Sequence, residues 1–502
     1  MKFLQVFIIF LIFLSSTGYA QPTSGELLYN RYCAFCHGNQ GDGLGAAAFL
    51  LYPKPRNFTT GVYKFRSTPT GNPPTDEDLF RTIRTGIPGT SMPPWDPLTN
   101  EEIKEIIAHI KLFAKKKFEG DDNDPPIEIP KPPPKTQESI EAGKKMYAQM
   151  KCGECHGPEG KGNGPAVNGL KDDSGFPLRP YNFTRGAGFM KGGSSDRDIF
   201  RTMVTGLDGT PMPSYAFLAG MGDQGWSLVH YIQSLIPEGG EFAFPQGTPS
   251  IKALKGLLDP NTISTQPNDF VWKQIPSTAV PLRPLWAREN WVDTVKIQVL
   301  ASVISKTLTF RLEWKDSTKD EEVLSTNKFR DGVAIQYSIE GSPKDYLGIP
   351  FIGMGDWNGS VRIWHWKADW QVDIDKGFQD PTSKYGSTMD WVPEESSKQL
   401  ALSGLSAGNS MSVRKRKSSV EALIAKGFGT LTSLPEEDQN AQGRAIWENG
   451  KWVVLIQIKN FSGLERLTKH QSIPIAIAVW DGSAGDRNGQ KSVSQWMSVS
   501  ME

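Results

Sequence analysis

The chain holds four cysteines, and all four fall in two copies of one pattern: Cys33-Ala34-Phe35-Cys36-His37 and Cys152-Gly153-Glu154-Cys155-His156. Two thiols separated by two residues can add to the vinyl groups along one porphyrin edge while the adjacent imidazole lies under the iron. That is the chemistry of covalent c-type haem attachment. A zinc knuckle needs further ligands close to each pair, and a thioredoxin-type redox pair does not need the following histidine. No cysteine remains for a disulfide or a Cys-rich zinc site. Cys33, Cys36, Cys152 and Cys155 are therefore the expected attachment points, with His37 and His156 as proximal iron ligands.

The elements that must position these residues are also repeated. Residues 25–118 and 139–237 are two copies of one unit. Asp78-Leu-Phe-Arg-Thr-Ile-Arg-Thr-Gly86 answers Asp198-Ile-Phe-Arg-Thr-Met-Val-Thr-Gly206, and Gly89-Thr-Ser-Met92-Pro93 answers Gly209-Thr-Pro-Met212-Pro213. Similarity over units this large implies duplicated domains, not a solenoid. Each copy predicts a helix carrying the attachment motif (26–37; 139–156), a Gly-rich turn and a closing helix (100–116; 224–235). With those motifs each copy resembles a class I cytochrome c, an all-α fold. The resemblance implies that Met92 and Met212 are the sixth iron ligands. Thioether sulfur is a soft donor that favours reduced iron. His109 and His230 do not align with each other and are expected to be helix-packing or surface residues.

Charge and length bound the rest. The chain has 502 residues with 55 basic and 55 acidic side chains, which points to no nucleic-acid partner and no polybasic membrane patch. Lys2, the apolar run 3–14 and the small residues Gly18 and Ala20 read as a signal peptide cleaved after Ala20. The run is too short to span a bilayer, and no later segment is expected to span. The mature protein is expected to be periplasmic or otherwise exported, without a transmembrane segment, as covalent haem assembly requires. The expected order is signal peptide 1–20, first module 21–118, Pro-rich linker 119–136, second module 137–240, linker 241–268 and a third domain 269–502.

Composition shifts in that third domain, which holds thirteen of the fifteen Trp. Short β-branched and aromatic runs alternate in period two, as in Thr309-Phe-Arg-Leu-Glu-Trp314 and Val361-Arg-Ile-Trp-His-Trp366. They predict an all-β, many-stranded antiparallel sandwich. Taken alone, Lys491 after Asn488-Gly489-Gln490 reads as a turn-exposed lysine and Met354 as core. His365 points to the face opposite Trp364 and Trp366, where solvent exposure is expected. His470 sits in a charged loop. The basic run 413–419 reads as a solvated loop, with docking to an acidic partner as its alternative.

Three stretches carry a further resemblance: Trp480-Asp-Gly-Ser-Ala-Gly-Asp-Arg-Asn-Gly-Gln-Lys491 through Trp496, Phe351-Ile-Gly-Met354-Gly with 361–368, and 420–430. From about Trp272 to Met497 the chain resembles the haem-b gamma subunit of ethylbenzene dehydrogenase and related molybdenum enzymes of the dimethyl sulfoxide reductase group. The resemblance implies a β-sandwich holding one non-covalent haem b between Met354 and Lys491. It also implies an iron–sulfur subunit and a molybdopterin catalytic subunit as partners. The fused c-type modules would extend the path to a soluble cytochrome or terminal oxidase. Such a fusion looks most like the nitrite oxidoreductase and nitrate reductase branch. The expected whole is multidomain: two all-α cytochrome c domains followed by an all-β sandwich that binds haem. It would be an electron-transfer subunit with two haems c and one haem b, and no substrate chemistry of its own. The alternatives are a diheme enzyme such as a peroxidase, and a diheme cytochrome whose third domain docks or binds without haem.

Overall fold

The computed structural model describes residues 23–121, 123–186, 190–237, 248–256, 266–288, 291–339, 349–356, 359–379, 413 and 415–501. The expected signal peptide lies outside the described residues. Among them, no helix is long and apolar enough to cross a membrane.

The first module is built from α1 (Ser24–Tyr32), α2 (Ala34–His37), α3 (Asp76–Thr85), α4 (Asn100–Leu112) and α5 (Lys115–Phe118). The second uses α6 (Gln137–Gln149), α7 (Gly153–His156), α8 (Asp196–Thr205) and α9 (Asp223–Ser234). Helices α1, α3, α4, α6 and α8 each begin at a Thr or Ser whose hydroxyl accepts the amide three residues on. Each such cap satisfies one orphan donor and stabilises by about 1 kcal/mol. The single helices expected over 26–37 and 139–156 are each broken at the start of the attachment motif: α1 gives way to α2 at Cys33, and in the second module Lys151, just before Cys152, takes φ +57°. Gly25 and Gly143 set the closest helix crossings. A Cβ on either would strike a carbonyl oxygen, of Glu105 on α4 or Ser227 on α9.

The third domain contains β1 (Ser250–Gly256), β2 (Thr278–Pro281), β3 (Arg283–Pro284), β4 (Thr294–Ser302), β5 (Thr307–Lys315), β6 (Gly332–Ser338), β7 (Val361–Lys367) and α10 (Ala368–Lys376). It continues with β8 (Val420–Ala425), β9 (Thr432–Ser433), β10 (Ala441–Glu448), β11 (Lys451–Lys459), β12 (Ile473–Trp480), β13 (Ser492–Val493) and β14 (Met497–Met501). One hydrogen-bonded path runs β10-β11-β5-β4-β1-β14-β12-β6-β7-β8-β9. The path folds over, so Leu312, Val454 and Ile456 share a core with Ile335, Trp364, Trp366 and Ile477. Trp366 meets Trp452 edge-on at 5.0 Å between centroids. The sandwich is thus one continuous sheet. It is also not wholly antiparallel: β1 pairs in parallel with both β14 and β4. That strand comes from the join expected to be loop-rich linker. Its burial alternates, Ile251 and Ala253 inward, over too few residues to register as a strand signal.

The modules are not strung out along their spacer. Arg66 is buried and donates to Thr205 O at 2.7 Å and to Asp208 at 2.8 Å, tying module 1 to module 2. The Pro-rich spacer follows this seam: Ile127 donates its amide to Ser67 O at 2.8 Å, while Ile127 and Ile129 pack on the core of module 2. Module 1 also sits against the sheet domain. Arg31 pairs with Asp356 at 3.4 Å, and the Tyr52 amide donates to Leu285 O at 3.1 Å.

Candidate functional site

The two attachment motifs have the same local construction. In module 1, Tyr29 donates its hydroxyl to Gly38 O at 2.7 Å, just past the motif; in module 2, Tyr147 does the same to Gly157 O at 2.7 Å. His37 Nδ1 lies 3.0 Å from Arg56 O and stacks on Phe58; His156 Nδ1 lies 3.2 Å from Tyr181 O and stacks on Phe183. A carbonyl oxygen can only accept, so each Nδ1 carries the proton and each Nε2 keeps a free lone pair. Burial brings the His37 pKa down to about 4 and lowers that of His156 as well. Both rings are neutral, oriented nitrogen donors at neutral pH, as an iron ligand must be.

The thiols do not suit redox exchange: burial pushes Cys33 and Cys36 up to about 12 and Cys152 up to about 11, away from the thiolate that attacks a disulfide. The methionine loops also repeat. Ile87 donates to Met92 O at 3.0 Å and Leu207 to Met212 O at 3.1 Å, while Thr90 and Thr210 hydroxyls accept the Met92 and Met212 amides, each at 3.2 Å. Met92 packs on the same core cluster as Cys33; Met212 is half-buried.

The third site is a chamber of about 750 Å³, within the range of about 300–1,000 Å³ usual for cofactor pockets. Met354 and Lys491, 137 positions apart in sequence, both line it. Met354 is held at φ +75°, a left-handed conformation costly for a side-chain-bearing residue. Its carbonyl accepts from Gly427 at 2.9 Å, and its side chain packs beside Ile363, Leu423 and Trp480. Lys491 is not turn-exposed, as its sequence context alone suggested: its residual exposure is to the chamber. Among the described residues no carboxylate pairs with it, and its Nζ lies 4.9 Å from the Trp480 ring centroid. Burial brings its pKa down to about 8. A buried amine without a counter-ion, beside an apolar chamber, suits a donor to a metal held there. Neighbouring Lys367 contrasts with it, being paired with Glu421.

His365 corrects the sequence reading. It does face away from Trp364 and Trp366, but that face is the chamber, not solvent. The ring stacks on Trp480 at 4.5 Å, and its Nε2 lies against the backbone of Gly332. His470 is exposed and His109 packs on Tyr29 and Phe113, as expected. His230 is buried, with Nδ1 2.8 Å from the Ser139 hydroxyl. The basic run is only partly solvated: Arg416 is turned inward between Asp373, at 2.7 Å, and the Trp370 ring.

Sequence reasoning missed Arg283 and gave no role to Phe351 or Phe428, although both lie in stretches that carry the resemblance. Arg283 is buried and donates to Met92 O at 3.2 Å. The chamber is also lined by Tyr32, Cys36, Leu50, Pro93 and Trp95 of module 1. No local sequence signal marks a wall shared between domains.

Comparison with known proteins matches each region. Residues 269–492 match the ethylbenzene dehydrogenase family, 20–110 match cytochrome C oxidase, cbb3-type, subunit III, and 140–235 match cytochrome c. A haem subunit assigned to a respiratory nitrate reductase in Haloferax mediterranei is 24% identical over 46% of this chain and 66% of its own length. The chlorate reductase gamma subunit of Ideonella dechloratans is 27% identical over 46% of this chain and 78% of its own length. The chain thus spans slightly less than two thirds of the first of these relatives. A solved structure, the reducing HAO-like protein complex Kustc0457/Kustc0458 of Kuenenia stuttgartiensis, is 44% identical. It covers 43% of this chain and 96% of its own, with a TM-score of 0.40.

Proposed function

We propose, from the premise that this chain joins two cytochrome c domains to a domain of the ethylbenzene dehydrogenase family, that it is an exported electron-transfer subunit with two haems c and one haem b. The single observation that carries the third haem is the chamber, with a thioether at Met354 on its wall and beside it the Lys491 amine, lowered by burial to about 8 and paired with no carboxylate among the described residues. A haem bound there would supply one-electron iron chemistry. The chain's own part is to offer two neutral ligands, exclude water with Trp480 and Phe351, and keep cationic side chains such as Arg330 and Lys367 on the wall. In the c-type modules, Cys33, Cys36, Cys152 and Cys155 would fix the porphyrins, and His37 with Met92 and His156 with Met212 would hold the irons. By analogy with the gamma subunits it resembles, the partners are an iron–sulfur subunit and a molybdopterin catalytic subunit on one side. A soluble cytochrome or terminal oxidase lies on the other.

The test is a haem count on the full chain. Pyridine haemochrome spectra should show two haems c and one haem b, with only the b-type extracted by acid-acetone. Two covalent haems and no extractable one would leave a diheme cytochrome with a docking domain. Binding of haem b should also follow the Lys491 amine. Its pKa is depressed on folding, from 10.5 to about 8, so the burial penalty is full below pH 8 and relieved as pH rises towards 10.5. Haem affinity of b-depleted protein should therefore rise through pH 8 and level off above. An affinity that falls over that interval would exclude the lysine.

A further inference from the structure

The chamber is not a property of the sheet domain alone. Its wall takes Tyr32, Cys36, Leu50 and Trp95 from module 1 and, among the described residues, none between 139 and 237. The second cysteine of the first attachment motif therefore opens onto the space lined by Met354 and Lys491. A cluster of rings packs beside this junction: Phe35, between the two module 1 cysteines, lies 3.9 Å from Phe351 and 5.4 Å from Phe428 between centroids. Leu50 lies against Gly489, where a Cβ would be 3.3 Å from its side chain.

One short segment holds both sides. Arg283 Nη1 donates to Met92 O at 3.2 Å, and two residues on the Leu285 amide donates to Lys491 O at 3.0 Å. Leu285 O in turn accepts the Tyr52 amide at 3.1 Å and the Ser91 hydroxyl at 3.2 Å. The residue proposed to ligate the first c-type iron and the residue proposed to ligate the b-type iron hang on the same three-residue strut. Among the described residues module 2 has no equivalent strut; it meets the sheet domain outside the chamber wall, where Arg185 lies 4.2 Å from the Trp291 ring. At the positions of Phe35, Phe49 and Leu50 it carries Glu154, Asn168 and Gly169, and its main-chain ties run to module 1 through Thr205.

We propose that electrons move between the haem-b site and module 2 only by way of module 1, the order being fixed by the shared chamber and by Arg283 as the positioning residue. This rests on the three-haem reading above. Each transfer is a single electron from a ferrous haem to its ferric neighbour, with no bond made or broken and no proton moved.

The experiment uses the full holoprotein with its haems counted first. In pulse radiolysis, wild type should show internal electron exchange between b- and c-type absorbance. Cys152→Ala with Cys155→Ala should keep that phase, and Cys33→Ala with Cys36→Ala should lose it. A retained phase in the second variant, or loss in the first, overturns the order. Arg283→Gln guards against a misfolded cysteine variant: redox titration should shift the b-type haem and one c-type haem, leave the other c-type haem at its wild-type potential, and show recovery in Arg283→Lys. If all three shift equally, or none does, Arg283 does not join the two sites. Wild-type protein without haem b would sink the three-haem reading and the order with it; wild type with three haems and the inverted phase pattern would sink the order alone.

Discussion

The two cytochrome modules are alike inside and unlike outside. Each has the tyrosine that caps the attachment turn, the histidine anchored to a carbonyl, the stacked phenylalanine and the threonine-braced methionine loop. The faces next to the thiols differ. Module 1 shows Phe35 to the sheet domain, whereas Glu154 of module 2 is exposed. Duplication preserved what holds the cofactor and released what decides the neighbour. On the proposed order of transfer, position is set by a few side chains around an unchanged scaffold.

The inner likeness is most sharply broken at the helix crossings. Gly25→Val and Gly143→Val should each destabilise their own module, by overpacking against a carbonyl, at the upper end of about 1–3 kcal/mol. Denaturant melts should show nearly equal losses; if only one variant melts early, the modules are not built alike. The outer difference should give an unequal pair. Phe35→Glu puts a carboxylate against Phe351 and Phe428 and should cost about 1–3 kcal/mol, while Glu154→Phe should stay within about 0.5 kcal/mol of wild type. Equal effects would mean the Phe35 contact contributes nothing. A smaller loss than that of Phe35→Glu is expected from Tyr29→Phe and Tyr147→Phe. Each loses one buried hydrogen bond, about 1 kcal/mol at most once the freed carbonyl relaxes, and thermal melts of the two should match.

Legibility followed the range of the interaction. Cys33 to His37 and Cys152 to His156 are contiguous, so their chemistry stands in five letters. Met92 and Met212 needed the repeat and a family resemblance, and Met354 and Lys491 needed the resemblance entirely. The runs Thr309–Trp314 and Val361–Trp366 fall inside β5 and β7, because a short apolar and aromatic run between turns is a local signal. His365 was placed on the right face, yet the face was misjudged: alternation tells which side a residue takes, not what covers that side. Arg283 was invisible because its partner, Met92 O, is a main-chain atom 191 residues away. The spacer misled for a related reason. Proline richness argues for extension, and it is extended, but Ile127 and Ile129 still find an apolar surface to lie on.

The position of β1 has a kinetic side. It sits between β4 and β14, and its Ser250 pairs with Ser498, 248 positions later. The middle of the sheet therefore stays open until residues 497–501 are available, whereas both helical modules close on neighbours much nearer in sequence. Such distant pairing slows folding, so the modules should be formed and ready for haem while the sheet is still searching. A fragment cut at residue 268 would leave β4 and β14 as raw edges facing a missing strand, an invitation to aggregate. The smallest sheet domain worth expressing begins ahead of Thr248, whose amide and hydroxyl are held by Asp96 of module 1 at 2.6 and 3.0 Å.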